Sequence, residues 1–263
     1  MTDAWGTGQS YEPYVGRWSR LVARSFLNWL GMPCAARWVD VGCGTGALTE
    51  TVLALASPAR ILGVDASESY VGFARQQVVG DRVRFEVADA RALPCQDSSF
   101  DVAVSGLVLN FLPEPSTMAS EMVRVVRPGG TVAAYVWDYS GEMQLMRCFW
   151  DAASALDAVA AELDEGRRFP ICNPDALVRL WRECELDCVE SRAIDVPTHF
   201  RDFDDYWQPF LGGQGPAPGY VATLDPDRRV ALRERLRSTL PRARQGHIEL
   251  TARAWAVRGT KRG

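Results

Sequence analysis

The chain has 263 residues, of which 47% are hydrophobic and 24% charged, a composition typical of a folded globular protein. No apolar run approaches the roughly 20 residues of a membrane helix, so no membrane partner is expected. The formal net charge of −4 and an isoelectric point of about 5.4 provide no positive field for a phosphate backbone, so nucleic acid is not expected as a partner.

The cysteines and the first residues of the chain predict a cytoplasmic protein. Seven cysteines are an odd number at irregular spacing, which favours reduced thiols over a disulfide framework. The sequence contains no CxxC pair and no histidine near Cys184 and Cys188, so no metal is expected. Residues 1–16 lack the basic start and apolar centre of a secretory signal.

Residues 37–138 alternate β-branched runs with helical stretches, a pattern typical of a parallel sheet covered by helices, so we predict an α/β fold. Five strands are predicted in this part, at Arg37–Val41, Ile61–Asp65, Val83–Ala88, Phe100–Ser105 and Thr131–Trp137. Helices are expected to begin near Gly46, Ser67 and Ser116. The triplet Pro128-Gly129-Gly130 predicts a sharp turn into the fifth strand, since proline fixes φ and glycine permits unusual dihedral angles.

The second half of the chain predicts helices, an irregular segment and two more strands. Glu142–Leu163 is predicted to form one amphipathic helix, and Asn173–Cys184 a second one that begins with an asparagine cap and a proline. A strand is predicted at Asp187–Val196. Phe200–Gly219 lacks periodicity and is dense in aromatic residues, glycine and proline, as expected of a lid or binding loop. In the last strand, His247–Val257, apolar residues alternate on one face.

The most informative segment joins the first strand to the first helix of the sheet. There the apolar strand leads into Gly42, Gly44 and Gly46, which lack a Cβ and let the backbone turn sharply against a ligand. Asp65 ends the second strand, where a carboxylate can accept hydrogen bonds from both hydroxyls of a ribose. These features fit S-adenosylmethionine or a nicotinamide dinucleotide. Asp89, after the third strand, could accept a hydrogen bond from an adenine amino group, and the turn has no lysine or arginine for a pyrophosphate, which together favour S-adenosylmethionine.

Five motifs in this order resemble those of class I S-adenosylmethionine-dependent methyltransferases, and within them the ubiquinone and menaquinone biosynthesis branch (methyltransferase type 11). They are Val39–Glu50, Gly63–Ser67, Asp89–Pro94, Phe100–Pro113 and Arg127–Gly130. The resemblance is strong over residues 11–138 and holds only in outline over residues 139–263. It implies a doubly wound, Rossmann-like sheet of seven mostly parallel strands, with His247–Val257 as its antiparallel last strand.

The resemblance also implies how the chain is divided and what it binds. Residues 1–36 would form a helical lid, residues 37–138 and 173–263 the cofactor-binding core, and residues 139–172 and 197–245 insertions that cover the substrate. The cofactor would be S-adenosylmethionine, with S-adenosylhomocysteine as the product and no metal.

The implied cofactor contacts follow from the matching positions. Gly42, Gly44 and Gly46 would pass beneath the methionine part, Asp40 would steer its ammonium group and Asp65 would hold the ribose. The remaining contacts would come from Tyr14 and Arg17 of the lid, Ala66 and Tyr70 after the second strand, Asp89 and Ala90 after the third, and Ser105 and Leu107 after the fourth. The alternative for the lid segment is an amphipathic helix that only packs on the sheet.

Methyl transfer mainly requires alignment of the reactants in a dry pocket, because a sulfonium is an excellent leaving group. If the acceptor is a hydroxyl, a base must remove its proton, and His199, Asp138 and Tyr139 are candidates by position. The aromatic residues predict a small apolar or aromatic acceptor that is methylated at oxygen, nitrogen or carbon. Its predicted contacts are Asn110, Phe111, Trp137, Tyr139, Tyr206, Trp207 and Phe210.

The sequence leaves four functions open. The first is a small-molecule methyltransferase, working as a monomer or homodimer. The second is an S-adenosylmethionine-binding protein without methyl transfer, either regulatory or catalysing a non-redox rearrangement. The third is a nicotinamide-dependent oxidoreductase, which Asp89 and the Pro128-Gly129-Gly130 turn disfavour. The fourth is methylation of RNA or protein, and the acidic charge balance weighs against RNA.

Overall fold

The computed structural model describes residues 16–212, 215–241 and 246–263. Tyr14, predicted to close over the cofactor, lies outside these residues. The chain divides into two compact units. We call the first the sheet unit, which comprises residues 19–136, 171–194 and 254–263. We call the second the aromatic unit, which comprises the described residues of 1–18, 137–170 and 195–253.

Seven strands form one sheet and confirm the predicted α/β fold. They are β1 Arg37–Val41, β2 Arg60–Asp65, β3 Val83–Val87, β4 Phe100–Gly106, β5 Val126–Trp137, β6 Leu186–Phe200 and β7 Ile248–Lys261. Their order is β3-β2-β1-β4-β5-β7-β6. The strands β1 to β5 pair in parallel, and the end strands are antiparallel. The chain order of the strands reverses between β1 and β4, and ligands of open α/β sheets bind at such a switch point.

The helices are α1 Arg17–Leu30, α2 Ala47–Leu55, α3 Glu68–Gln77, α4 Pro115–Val125, α5 Gln144–Ser154, α6 Ala160–Leu163, α7 Glu165–Arg168, α8 Pro174–Glu183, α9 Phe203–Trp207, α10 Pro216–Thr223 and α11 Pro226–Thr239. Single 3₁₀ turns lie at Leu109–Phe111 and Gln208–Leu211. Side-chain caps explain two of the predicted starts, because Ser67 accepts the Tyr70 N–H and Asn173 accepts the Ala176 N–H. Within the described residues, no helix combines the length and apolar character needed to cross a membrane.

The centre of the sheet unit is built from strands buried on both faces. In β1, Trp38, Val39 and Val41 are fully buried, and Val102 and Val104 of the neighbouring β4 are buried with them. Such continuous apolar runs are typical of parallel strands covered by helices on both faces. This rigid centre holds the turn that follows β1 in a fixed place at the edge of the sheet.

The Pro128-Gly129-Gly130 triplet lies inside β5, not before it as predicted. The pairing of β5 with β4 shifts between Phe100 and Val102, so the triplet forms an irregularity in a longer strand. Gly129 has a φ of 73°, and a Cβ on Gly130 would lie 2.7 Å from the carbonyl oxygen of Asp101. Gly129 is therefore required because its backbone is left-handed, and Gly130 because the neighbouring strand lies too close for a Cβ.

Two predictions for the second half of the chain were wrong. Glu142–Leu163 is not one helix, because α5 ends at Ser154 and α6 begins at Ala160. Between them, the Asp157 side chain accepts the Val159 N–H at 3.0 Å. Phe200–Gly219 is not irregular, since it holds α9, a 3₁₀ turn and the start of α10. Helices this short have no measurable periodicity, and local caps define them instead.

Aromatic side chains form the interior of the aromatic unit. The rings of Phe149 and Phe210 stack with centroids 4.5 Å apart and 14° between their planes. Tyr206 is fully buried, and its hydroxyl donates to the Leu145 carbonyl oxygen at 3.0 Å. Tertiary packing of these rings supplies the order that the sequence pattern of this segment lacks.

The aromatic unit also buries a carboxyl group. Glu165 is 3% exposed and accepts a hydrogen bond from the Trp150 indole nitrogen. Burial raises the pKa of Glu165 to about 8, and the Trp150 hydrogen bond opposes this only in part. The neighbouring Asp164 is instead paired with Arg147, with 2.7 Å between Oδ2 and Nη2.

We predict that Glu165→Gln flattens the pH dependence of stability. In the unfolded chain Glu165 ionises near its ordinary pKa, whereas in the folded protein it holds its proton up to about pH 8. The contribution of Glu165 to the free energy of unfolding is complete below roughly pH 4.5. It is lost as the pH rises through the folded pKa, by up to about 1.4 kcal/mol per pH unit. Urea unfolding across this range measures it. The exposed Glu162→Gln is the control, and identical profiles for the parent and the Glu165 variant would contradict the assignment.

Candidate functional site

The turn after β1 brings main chain close to open space. Gly42, Gly44 and Gly46 all have left-handed φ angles, of 75°, 53° and 91°. A Cβ on Gly42 would lie 2.5 Å from Val108 Cγ2, so this glycine is required by packing within the protein. A Cβ on Gly44 would have no atom within 4 Å, so this position faces space that a ligand can occupy.

The Asp65 carboxylate bonds to this turn. Its Oδ2 accepts the Gly44 N–H at 3.0 Å, and its Oδ1 accepts the Ser67 N–H at 2.9 Å. Burial raises the pKa of Asp65, while these two hydrogen bonds lower it. Each carboxylate oxygen retains a second lone pair, so Asp65 can still accept hydrogen bonds from a ligand.

Asp40 is a fully buried acid within β1. Its Oδ2 accepts a hydrogen bond from the Thr49 hydroxyl at 2.6 Å, while its Oδ1 has no partner among the described residues. Burial raises the pKa of Asp40 to about 7, against the Thr49 hydrogen bond, which lowers it. A cation placed at Oδ1 would favour the ionised form. The role of Thr49 as a partner of Asp40 was not predicted from the sequence. Thr49 is a hydroxyl residue on the buried face of α2, and this is the one feature that could have indicated it.

Further polar atoms at the same edge of the sheet are buried without a partner in the described structure. They are the Tyr70 hydroxyl, the Ser105 hydroxyl and both amide atoms of Asn110. Ser105 is near the carboxyl end of β4, and Tyr70 and Asn110 follow the carboxyl ends of β2 and β4. These strands are the two neighbours of β1, so the chain places the three residues at one edge. A buried polar atom without a partner costs about 1–3 kcal/mol, so a polar ligand or water that bonded to these groups would remove this cost.

Leu107 adds backbone strain at this edge. It has a φ of 64° although it is not glycine, is 9% exposed, and donates its N–H to the Tyr135 carbonyl oxygen at 2.7 Å. Left-handed backbone at a bulky residue costs roughly 1–2 kcal/mol and is concentrated at functional sites. The bond to β5 holds the segment after β4 in this conformation.

The predicted adenine contacts are more exposed. Asp89 forms an ion pair with Arg91, with 2.7 Å between Oδ2 and Nη2, and this partner lowers the pKa of Asp89 to about 2. Ala66 is exposed and Ala90 half-buried. The adenine contact of Asp89 stays a prediction, and Arg91 already bonds to both of its oxygens.

Arg17 has partners within the aromatic unit. Its Nη1 lies 3.2 Å from Asp205 Oδ1, and its Nη2 donates to the His199 carbonyl oxygen at 2.7 Å. The pairing with a cofactor carboxylate that we predicted for Arg17 therefore has a competitor in Asp205. The His199 side chain itself is exposed.

The predicted acceptor contacts differ in burial. Trp137 and Tyr139 are 1% and 7% exposed, at the end of β5 and just after it, whereas Phe111 is 39% exposed. Tyr206, Trp207 and Phe210 are buried and pack against one another. The Phe210 ring centroid lies 5.4 Å from that of Tyr206 and 6.2 Å from that of Trp207, and this packing accounts for their burial. Within the described part of the chain, no three His, Cys, Asp or Glu residues are grouped to hold a metal.

Comparisons with known proteins identify a domain in the part of the chain that carries these residues. Residues 39–134 match a family model described as a methyltransferase domain. Trans-aconitate 2-methyltransferase of Variovorax paradoxus (strain S110) is 31% identical over 157 residues, which cover 59% of this chain and 55% of that protein. Demethylmenaquinone methyltransferase of Clavibacter sepedonicus is 37% identical over 97 residues, which cover 36% of this chain and 39% of that protein.

A solved structure supports the fold. Phosphoethanolamine N-methyltransferase 2 of Haemonchus contortus, in complex with S-adenosyl-L-methionine, matches with a TM-score of 0.58 and 16% identity. The match covers 92% of this chain and 52% of that one. The resemblance inferred from the five motifs is confirmed, because residues 39–134 match the model of a methyltransferase domain. The chain spans only about half, or less, of the length of the curated relatives named above.

We predict unequal costs for two alanine substitutions in the glycine turn. Gly44→Ala meets only the left-handed backbone penalty, about 1–2 kcal/mol. Gly42→Ala also forces a methyl group into Val108 and should cost at least about 1–3 kcal/mol more. Chemical denaturation measures both, and Val108→Ala in the Gly42→Ala background should recover part of the loss. Equal losses for the two single variants would show that Val108 does not constrain Gly42.

Proposed function

We propose that the chain is a methyltransferase that transfers the methyl group of S-adenosylmethionine to a small acceptor. The observation that carries the proposal is the set of buried, unpartnered polar atoms of Asp40, Tyr70, Ser105 and Asn110 beside the open space at Gly44. The matched methyltransferase domain includes all four residues. Buried polar atoms without partners are rare in folded chains, and one polar ligand at this edge would satisfy all of these together.

The residues present fit S-adenosylmethionine. We assign the ribose hydroxyls to the free lone pairs of Asp65 and the ammonium group to Asp40 Oδ1. Tyr70, in the first turn of α3, would contact the adenine, and Ser105 and Leu107 the amino acid part. Gly44 would leave room for the methionine chain. The donor set matches the chemistry of the ligand, because carboxylates face hydroxyl and ammonium donors and aromatic carbon faces the base.

When bound, S-adenosylmethionine supplies a methyl group already activated by a sulfonium. The protein then needs only to hold the cofactor, align the acceptor with the methyl group and exclude water from both. Asp40 would carry a negative charge toward the ammonium group, and that cation would lower its raised pKa. Asn110 would hold a polar group near the methyl position through its two amide atoms. An amine or a carbon of an electron-rich ring would need less help from the chain than a hydroxyl does.

The acceptor we propose is a small apolar or aromatic metabolite. Residues 139–172 and 197–245 would cover it, with Trp137, Tyr139 and Phe111 as contacts. The aromatic content of these segments supports this class, although Tyr206, Trp207 and Phe210 already pack against one another. For a hydroxyl acceptor His199 is the proposed base. A cytoplasmic location, the monomeric or homodimeric state, and the lack of a nucleic acid partner remain predictions.

Turnover tests the proposal directly. Purified protein should convert labelled S-adenosylmethionine into S-adenosylhomocysteine and a labelled small molecule when a metabolite extract is added. Boiled extract and the Asp65→Asn variant are the controls, and Asp97→Asn removes an exposed acid for comparison. Tight binding of the cofactor without any labelled product would favour a binding protein over a methyltransferase. The absence of binding would refute both.

We predict that Asn110→Leu makes the protein more stable and less active. Leucine is similar in size and removes two unpartnered polar atoms, so the free energy of unfolding should rise by about 1–2 kcal/mol. Methyl transfer with the same extract should fall at least about tenfold, since a lost contact of this kind costs about 1.4 kcal/mol or more. The control is Trp38→Phe, which removes another buried, unpartnered polar atom, the indole nitrogen of Trp38 in β1, and should keep full activity. An Asn110→Leu variant with unchanged turnover would contradict the assignment.

A further inference from the structure

The strand β3 is an outer edge of the described sheet, because it pairs with β2 on one side and lies at the end of the strand order. The Ala88 N–H, just after β3, donates to the Asp65 carbonyl oxygen of β2 at 3.0 Å. Main-chain groups of successive residues in a strand point to opposite sides, so the even-numbered residues of β3 bond to β2. The main-chain groups that point to the open edge are therefore those of Val83, Phe85 and Val87.

Two of these edge groups already have partners within the chain. The Val83 N–H donates to the Gly80 carbonyl oxygen at 3.3 Å, and the Phe85 carbonyl oxygen accepts from Arg75, at 2.6 Å from Nη2 and 3.2 Å from Nε. Arg75 is exposed, so an incoming strand can share this oxygen or displace the side chain. The Phe85 N–H, the Val83 carbonyl oxygen and both groups of Val87 face the open side. Edges of this kind are sites for the addition of another strand.

The side chains of β3 are complementary to a second copy of the same strand in antiparallel orientation. With a two-fold axis at Phe85, Arg84 of one copy faces Glu86 of the other, and Val83 faces Val87. The odd-numbered residues then form the hydrogen-bonded pairs, so Arg84 and Glu86 form the non-hydrogen-bonded pairs, in which side chains lie closest. Both side chains are exposed, and neither has an ion-pair partner among the residues that the structure describes.

Exposed apolar side chains adjoin this edge. Val87 is 48% exposed, and Val79, between α3 and β3, is 83% exposed, the highest value for a large hydrophobic side chain in the described residues. A cavity of about 490 Å³, lined in part by Arg75, Val79 and Val83, lies along the strand. In the antiparallel pair, Val83 of the second copy would cover Val87. Removal of this apolar surface from water would add to the main-chain hydrogen bonds.

We propose that two copies of the chain associate through β3, as an antiparallel pair about a two-fold axis at Phe85. The pairing joins the two seven-stranded sheets into one continuous sheet. The contact is isologous, since the same strand supplies both halves and each Arg84 meets one Glu86. The interface belongs to the sheet unit and does not depend on methyl transfer.

Sedimentation velocity of the full chain tests the proposal. The parent protein at micromolar concentration should sediment as a dimer, with twice the mass of the 29.1 kDa chain. Glu86→Arg places two arginines opposite each other at both pairs, and Arg84→Glu places two glutamates there. Each variant should weaken the dimer at least about tenfold. An equimolar mixture of the two variants restores opposite charges at both pairs and should form a heterodimer as tight as the parent dimer.

The matched controls are Arg179→Glu and Glu183→Arg, which make the same charge changes at exposed positions of α8. This helix bonds to β5 through Trp181, away from β3 in the strand order, so the controls should leave the dimer unchanged. Circular dichroism checks that each variant is folded, and the isosteric Glu86→Gln should weaken the dimer by a smaller factor. A monomeric parent, a dimer that neither β3 variant weakens, or monomeric variants that fail to pair on mixing would each overturn the proposal.

Discussion

The Asp65 carboxylate is the contact on which the candidate site depends. By accepting one N–H from Gly44 and one from Ser67, it joins the turn after β1 to the start of α3. The glycine turn therefore cannot move independently of the helix that follows β2. The strand β1 is buried between β2 and β4, so the glycine turn and Asp65 are attached to the buried centre of the sheet. The position of the Asp65 carboxylate is therefore fixed before a ligand binds.

Much of the fold could be predicted from the sequence because its signals are local and repeated. The strands β1 to β4 appear as short apolar runs, and Ser67 and Asn173 mark helix starts by their capping chemistry. The segment Phe200–Gly219 could not be predicted, since its short helices are ordered by ring contacts such as Phe149 with Phe210, which are 61 positions apart in the chain. The bulge at Gly130 likewise depends on Asp101, a residue of the neighbouring strand.

The candidate site divides in the same way. The spacing of Gly42, Gly44 and Asp65 predicts that turn and acid lie together, because strand, turn and strand-end acid follow one another in sequence, and Asp65 does accept the Gly44 N–H. Thr49 was missed, since only the structure shows that its hydroxyl reaches Asp40. The partner of Arg17 could not be foreseen either, because Asp205 is 188 positions away. Side chains that meet through tertiary packing leave no trace in the spacing of either segment.

The left-handed backbone at Leu107 has a consequence for how the site would respond to a ligand. The hydrogen bond from the Leu107 N–H to the Tyr135 carbonyl oxygen of β5 holds the segment in this conformation. Its conformational cost is thus met during folding, and association has no ordering penalty to overcome at this point. The segment is preorganised, and its main chain should superimpose in free and liganded forms, with adjustment confined to side chains.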